Sequence, residues 1–143
     1  APVSTAFSEI HAGRAEAAAM RGTGANKMPS EVFCSLANWF DQPTVGKMRD
    51  ELYGDKEGSH ATPSEVSVTW YAYPEQQRDA PLGDIAPIER PFQGANDYRR
   101  LYPDGRMGAD PSLATPEAGE KLVDAAVKDL NATYHRFLEA GAS

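Results

Sequence analysis

The apolar positions of the chain fall into segments of different period. From about Thr5 to Met20, Phe7, Ile10, Ala17 and Ala18 recur on one face at helical spacing. Ser4 is a helix-capping residue type in front of them, and Arg21-Gly22-Thr23-Gly24 supplies the glycine that commonly follows a helix. Glu31–Phe40 (EVFCSLANWF) is short, aromatic and apolar, and predicts a buried strand. Thr44 is placed to cap a short helix reaching about Leu52, with Gly54 as its stop. A single strand leaves its backbone donors and acceptors without a ladder, so the pattern predicts part of a sheet protein whose other strands lie elsewhere.

Thr62–Tyr73 carries two opposed signals. Val66-Ser67-Val68-Thr69-Trp70-Tyr71 alternates and is rich in β-favouring residues. Thr62-Pro63-Ser64-Glu65, however, is a capping box with proline at the first helical position, which predicts a helix start. Pro74–Pro111 is rich in Pro, Gly, Asp and Arg and reads as a long irregular excursion, of the kind that is usually functional or interfacial. Thr115-Pro116-Glu117 then opens the clearest helix. Its apolar stripe, Val123, Val127, Leu130, Tyr134 and Phe137, steps by four, three, four and three before Gly141 ends it.

Composition narrows the function classes. The 143 residues suit one domain, and 14 basic against 21 acidic residues give a net charge of −7. A pI near 4.9 argues against nucleic-acid binding, which requires a basic face. No apolar run approaches the ~18–20 residues that cross a bilayer, so neither nucleic acid nor membrane is an expected partner. Cys34 is the single cysteine, which excludes an internal disulfide and fits a reducing, cytoplasmic setting. The opening Ala1-Pro2-Val3 has no initiator methionine and is expected of a fragment or a cleaved chain.

Few side chains suggest chemistry. His11 and His135 lie within helical patterns and read as solvated helix residues. His60 stands on a loop directly before the capping box, a position suited either to an ordinary loop residue or to one that moves protons near neutral pH. Glu65 has a structural role available to it, bonding the backbone N–H of Thr62. Cys34 reads as a small buried apolar residue. Gly22-Thr23-Gly24 follows no strand and is discounted as a phosphate loop, and the Asn131-Ala132-Thr133 sequon falls in a helical pattern. No His-Glu-x-x-His pattern and no Cys/His cluster is present.

His60-Ala61-Thr62-Pro63-Ser64-Glu65-Val66-Ser67 resembles the His-Ala-Gly-x-x-Glu-Thr-Ser segment of the creatininase (creatinine amidohydrolase) family, with Thr62 and Val66 where the family more often has Gly and Thr. Further on, Tyr102–Thr115 resembles that family's Gly-x-x-Gly-x-Pro-x-x-Ala-Thr loop before its final helix, with Glu117, Gly119 and Glu120 following suit. Order and spacing both agree. His11-Ala12-Gly13-Arg14-Ala15-Glu16 matches the histidine motif in letters, but its distance to residues 105–115 does not.

The resemblance covers nearly the whole chain and implies the C-terminal half, residues 1–143, of one creatininase-like domain. The family's Gly-His-Gly-Gly-Asn motif would lie just upstream of Ala1. The implied fold is α/β, a three-layer α/β/α sandwich with a mostly parallel sheet completed by another chain, and it turns Thr62–Tyr73 towards helix. The implied activity is hydrolysis of a small amide C–N bond, cyclic amides included, by metal-bound hydroxide. Two divalent ions (zinc, manganese or iron) are implied, ligated mainly by residues of the N-terminal half. His60 resembles the family's proton-transferring catalytic histidine, and Glu65 its acidic residue at the metal. Trp39 and Trp70 are candidates to line a substrate pocket. The expected partners are an N-terminal-half polypeptide, cleaved or separately encoded, a small amide substrate and further copies in a hexamer-type assembly. The alternative is a non-catalytic assembly or ligand-binding subunit that retains the fold.

Overall fold

The computed structural model describes residues 2–20, 34–78 and 80–141. Its helices are α1 (Pro2–Met20), α2 (Pro43–Tyr53), α3 (Pro63–Ala72), α4 (Ala95–Leu101) and α5 (Pro116–Gly141). The chain divides into two compact units, residues 38–134 and residues 1–37 with 135–143. In the smaller unit α1 begins at Pro2, so Ser4 lies inside the helix and does not cap it. Phe7 is half-buried, while Ile10 and His11 are exposed. The glycines expected to stop α1 lie outside the described residues.

The larger unit is organised by α2, α3 and α5. Val45 and Tyr53 of α2 bury against Ala118, Leu122, Ala125 and Ala126 of α5, with Trp39, Met48 and Val68 packed around them. The α5 face that packs is therefore not the predicted stripe. Val127 and Tyr134 of that stripe are 62% and 57% exposed. The reason is size. Ala118, Gly119, Ala125 and Ala126 form a low surface on which neighbouring helices approach closely, which a face of Val and Tyr would prevent. At Gly119 the approach reaches backbone contact, since a methyl group there would lie 2.0 Å from the Ser67 carbonyl oxygen of α3.

In the larger unit, helix ends follow the sequence with one exception. Thr62 and Glu65 form the complete capping box of α3, which settles Thr62–Tyr73 as helix against its β-favouring alternation. Gly54 ends α2 at φ 51°, a left-handed conformation that glycine adopts without strain. Thr44, expected to cap α2, is instead inside it. Its backbone N–H and hydroxyl both donate to the Asp129 carboxylate of α5, at 2.7 and 2.8 Å. The carboxylate thus meets the positive end of the α2 dipole from a neighbouring helix.

The expected three-layer α/β/α sandwich with a parallel sheet is not formed. Among the described residues there is no sheet, and the β pairing found is an isolated antiparallel bridge between His60 and Met107. Of the predicted strand Glu31–Phe40, residues 31–33 lie outside the described residues, and residues 34–38 adopt no regular structure. Trp39–Asp41 is a 3-10 turn. Local side-chain bonds favour that turn: Asn38 donates to Asp41 at 3.0 Å and Gln42 to the Asn38 carbonyl at 2.8 Å. An apolar, aromatic run satisfies a strand pattern, but only a neighbouring strand completes its hydrogen bonds.

Candidate active site

The two segments that carry the sequence motifs meet. Ser59 N–H donates to the Met107 carbonyl at 2.9 Å, and Met107 N–H to the His60 carbonyl at 3.3 Å, closing the antiparallel bridge. Asp110 N–H adds a bond to the Lys56 carbonyl at 2.9 Å. The contact depends on Gly58, at φ 65°. A methyl group there would stand 2.4 Å from Ala109 N and 2.5 Å from the Met107 oxygen. Arg106, 4% exposed, pins the excursion to the same loop. Its Nη2 donates to the carbonyls of Gly83 at 2.7 Å and Asp84 at 3.1 Å. Its Nε donates to Asp104 at 2.7 Å, which holds the Asp104 carboxyl below the usual carboxylate range.

The histidine loop is clasped on its other side as well. Ala61 has φ 57°, the one left-handed non-glycine residue among those described, and it sits between His60 and the N-cap Thr62. A non-glycine residue persists there only where its surroundings over-determine the backbone. The bridge supplies the constraint before it and the capping box the constraint after it. Thr62 Oγ1 accepts from Glu65 N–H at 3.2 Å, and Glu65 Oε2 accepts from Thr62 N–H at 3.1 Å. Ser64 lies 3.0 Å from the Thr62 hydroxyl and donates to Glu57. The His60 side chain is exposed, so a fixed backbone presents an accessible imidazole.

Ser67 joins this loop to the helices. It is fully buried, its hydroxyl lies 2.8 Å from the Tyr53 hydroxyl, and it accepts from the Thr115 N–H at 3.1 Å. Burial raises the Tyr53 phenol above its ordinary value. Thr115 in turn caps α5, accepting from Ala118 N–H at 3.1 Å. The ends of both motifs are thereby fixed to one buried hydroxyl.

His60 and Glu65 are brought to the same short segment, at opposite ends of the clasp. Trp39 is half-buried beside the α2–α5 core, and Trp70 is half-buried on α3. A cleft of ≈ 470 Å³ runs between the excursion (Leu82, Asp84, Ile85) and the loop (Arg106, Asp110, Ser112). A second, of ≈ 290 Å³, is lined by Asp55, Lys56, Gly58, Ile85, Ile88 and Gly108. None of His60, Glu65, Trp39 and Trp70 lines either cleft. Sequence reasoning passed over Glu57, Ser64 and Ser67. The available signal was an acidic residue at the start of a glycine loop and small hydroxyls at internal positions of a helix.

A family model described as creatinine amidohydrolase (creatininase) matches residues 1–134 of the chain. The chain belongs to the creatininase family. No curated protein matches it in sequence. Membership places the chain among hydrolase-type enzymes, specifically amidohydrolases. Among the described residues, no helix is long and apolar enough to cross a membrane.

The creatininase family is generally metal-dependent. Among the described residues, no three His, Cys, Asp or Glu side chains stand together where they could hold an ion. Glu65 commits Oε2 to the capping box. The described residues therefore do not fit a metal centre by themselves. The two roles open to Glu65 separate in one variant. As a cap, Glu65→Gln keeps its box geometry and lowers stability by ~1 kcal/mol or less. Thermal unfolding of Glu65→Gln beside Glu65→Ala, with metal content measured on both, checks this. Lost metal with unchanged stability would assign the carboxylate to an ion and not to the helix.

Proposed function

We propose that the chain hydrolyses a small amide C–N bond with His60 as the group that delivers a proton to the leaving nitrogen. The observation that carries this reading is the bridge at His60 and Met107, which joins the two creatininase-like motifs and fixes the backbone beneath an exposed imidazole. Hydrolysis adds water across the amide, and the nitrogen is a poor leaving group unless it is protonated as the bond breaks. A side chain that titrates near neutral pH suits that transfer, provided its position is held. Ala61, Thr62 and Met107 hold the backbone that carries it here.

The chain works, in this reading, with a partner polypeptide that supplies the remaining catalytic groups. Supporting it are large apolar side chains left exposed, Val127 on α5 and Leu82, Ile88 and Phe92 on the excursion. Apolar surface of that kind marks association. The test is release of amine or ammonia from creatinine and a panel of linear and cyclic amides. The material as purified is assayed, with its polypeptides identified by mass and its metals by elemental analysis. Turnover of at least one amide is the expected result. Stoichiometric binding of an amide with no turnover would establish the ligand-binding alternative instead.

A further inference from the structure

We propose that Glu57 is the positioning residue of the site, holding His60 in place through Ser64 and Thr62. This inference rests on the reading of His60 as the proton-delivering group. Glu57 is 9% exposed. Its Oε1 accepts from the Ser64 hydroxyl and lies 3.7 Å from Nη1 of Arg49. Glu57 Oε2 and Arg49 Nε are both buried without a hydrogen-bond partner. As a stabilising device such a pair is poor, because a half-satisfied buried ion pair is commonly no better than two well-packed apolar side chains. Its worth lies in the direction it imposes on its neighbours.

That direction follows from counting protons. An ionised carboxylate accepts only, so the single hydroxyl proton of Ser64 points at Glu57. Ser64 can then meet Thr62, 3.0 Å away, only as an acceptor, and the single Thr62 hydroxyl proton is shared between Ser64 and Glu65 Oε2, 3.1 Å away. The lone pairs of Thr62 are left for Glu65 N–H, the bond that starts α3. Glu57 at the front of the loop therefore orients the N-cap at its back, across Gly58, Ser59, His60 and Ala61. Ala61 at φ 57° relaxes unless both ends of this segment are held. The bridge to Met107 holds one end, and the Glu57–Ser64–Thr62 chain holds the other.

Amide hydrogen exchange by NMR on the full chain, with the companions it purifies with, tests the proposal. The variants are Glu57→Ala, Glu57→Gln and Ser64→Ala. Glutamine keeps a carbonyl oxygen that accepts from Ser64, whereas alanine does not. Exchange at the Ser59 and Met107 amides should accelerate about tenfold or more in Glu57→Ala and Ser64→Ala, with Leu122 unaffected, and stay near wild type in Glu57→Gln. The imidazole proton shifts of His60 should follow the same division. If Glu57→Ala does not fold, Ser64→Ala, which removes one oxygen, decides alone. Unchanged exchange in Ser64→Ala overturns the proposal. So does a Glu57→Gln variant as loosened as Glu57→Ala, since the Arg49 charge pair would then be what matters. His60→Ala, assayed in parallel on the amide that the panel shows to be turned over, keeps the two ideas apart. Full activity in that variant overturns the reading of His60, whatever the exchange data show of Glu57.

Discussion

Replacing His60 with alanine should lower turnover by about 10²–10⁴-fold, the range for losing a general acid or base, while leaving stability almost unchanged. The fold should tolerate the change because the imidazole is exposed and the bridge to Met107 uses only backbone atoms of residue 60. His11→Ala is the matched control. It removes an exposed imidazole from α1 within letters that imitate the histidine motif, and it should be nearly silent. Steady-state kinetics on the amide that turns over, with circular dichroism of each variant, reads the result. A His60→Ala enzyme at wild-type rate would remove His60 from the mechanism.

Two glycines in helices should respond in opposite directions to the same substitution. Gly119→Ala places a methyl group 2.0 Å from the Ser67 oxygen and 2.8 Å from Cβ of Tyr71, so α3 and α5 must separate. Overpacking against side chains usually costs about 1–3 kcal/mol. Here the obstacle is a helix backbone, and the loss should lie at or above the top of that range, about 3 kcal/mol. Separation also disturbs Ser67, and with it the bonds to Tyr53 and Thr115. Gly46→Ala lies within α2 with nothing within 4 Å of the added methyl, so it should stabilise by about 0.5–1 kcal/mol. Urea unfolding of both variants tests the pair, and a tolerated Gly119→Ala would contradict the closeness of α3 and α5.

Local chemistry was legible in the sequence where it closes on itself. Thr62 and Glu65 are three residues apart, and their reciprocal bonds need no distant partner, so the start of α3 was readable from four letters. Gly54 stops α2 for the same reason. What was not legible depends on distant partners. Thr44 has the residue type of a cap, yet it is Asp129, far along the chain, that holds its N–H. The wide stripe of α5 has the larger side chains and the cleaner period. The narrow face of Ala118, Gly119, Leu122, Ala125 and Ala126 wins because close backbone approach rewards small residues, which periodicity of hydrophobicity does not weigh. The strand at Glu31–Phe40 was inferred from apolar content alone, and apolar content does not provide a neighbour. Family motifs singled out His60 and residues 105–115, but not the bridge at which they meet. Glu57 lay outside the readable motifs and Ser64 at a variable position within them, because a buried carboxylate and a serine have no pattern of their own.

The pair of bonds by which Ser59 and His60 meet Met107 also bears on the order of events in folding. Helices α2 and α3 are close in sequence and can pack early. The bridge must wait until the whole excursion and α4 have been looped back, an entropic cost that rises slowly with length but comes before any reward. Only then is Ala61 forced into its left-handed state. The segment that carries the imidazole should therefore be among the later parts of this unit to order. On warming, this segment should loosen before the helices unpack, which amide exchange at Ser59 and Met107 followed against temperature would read.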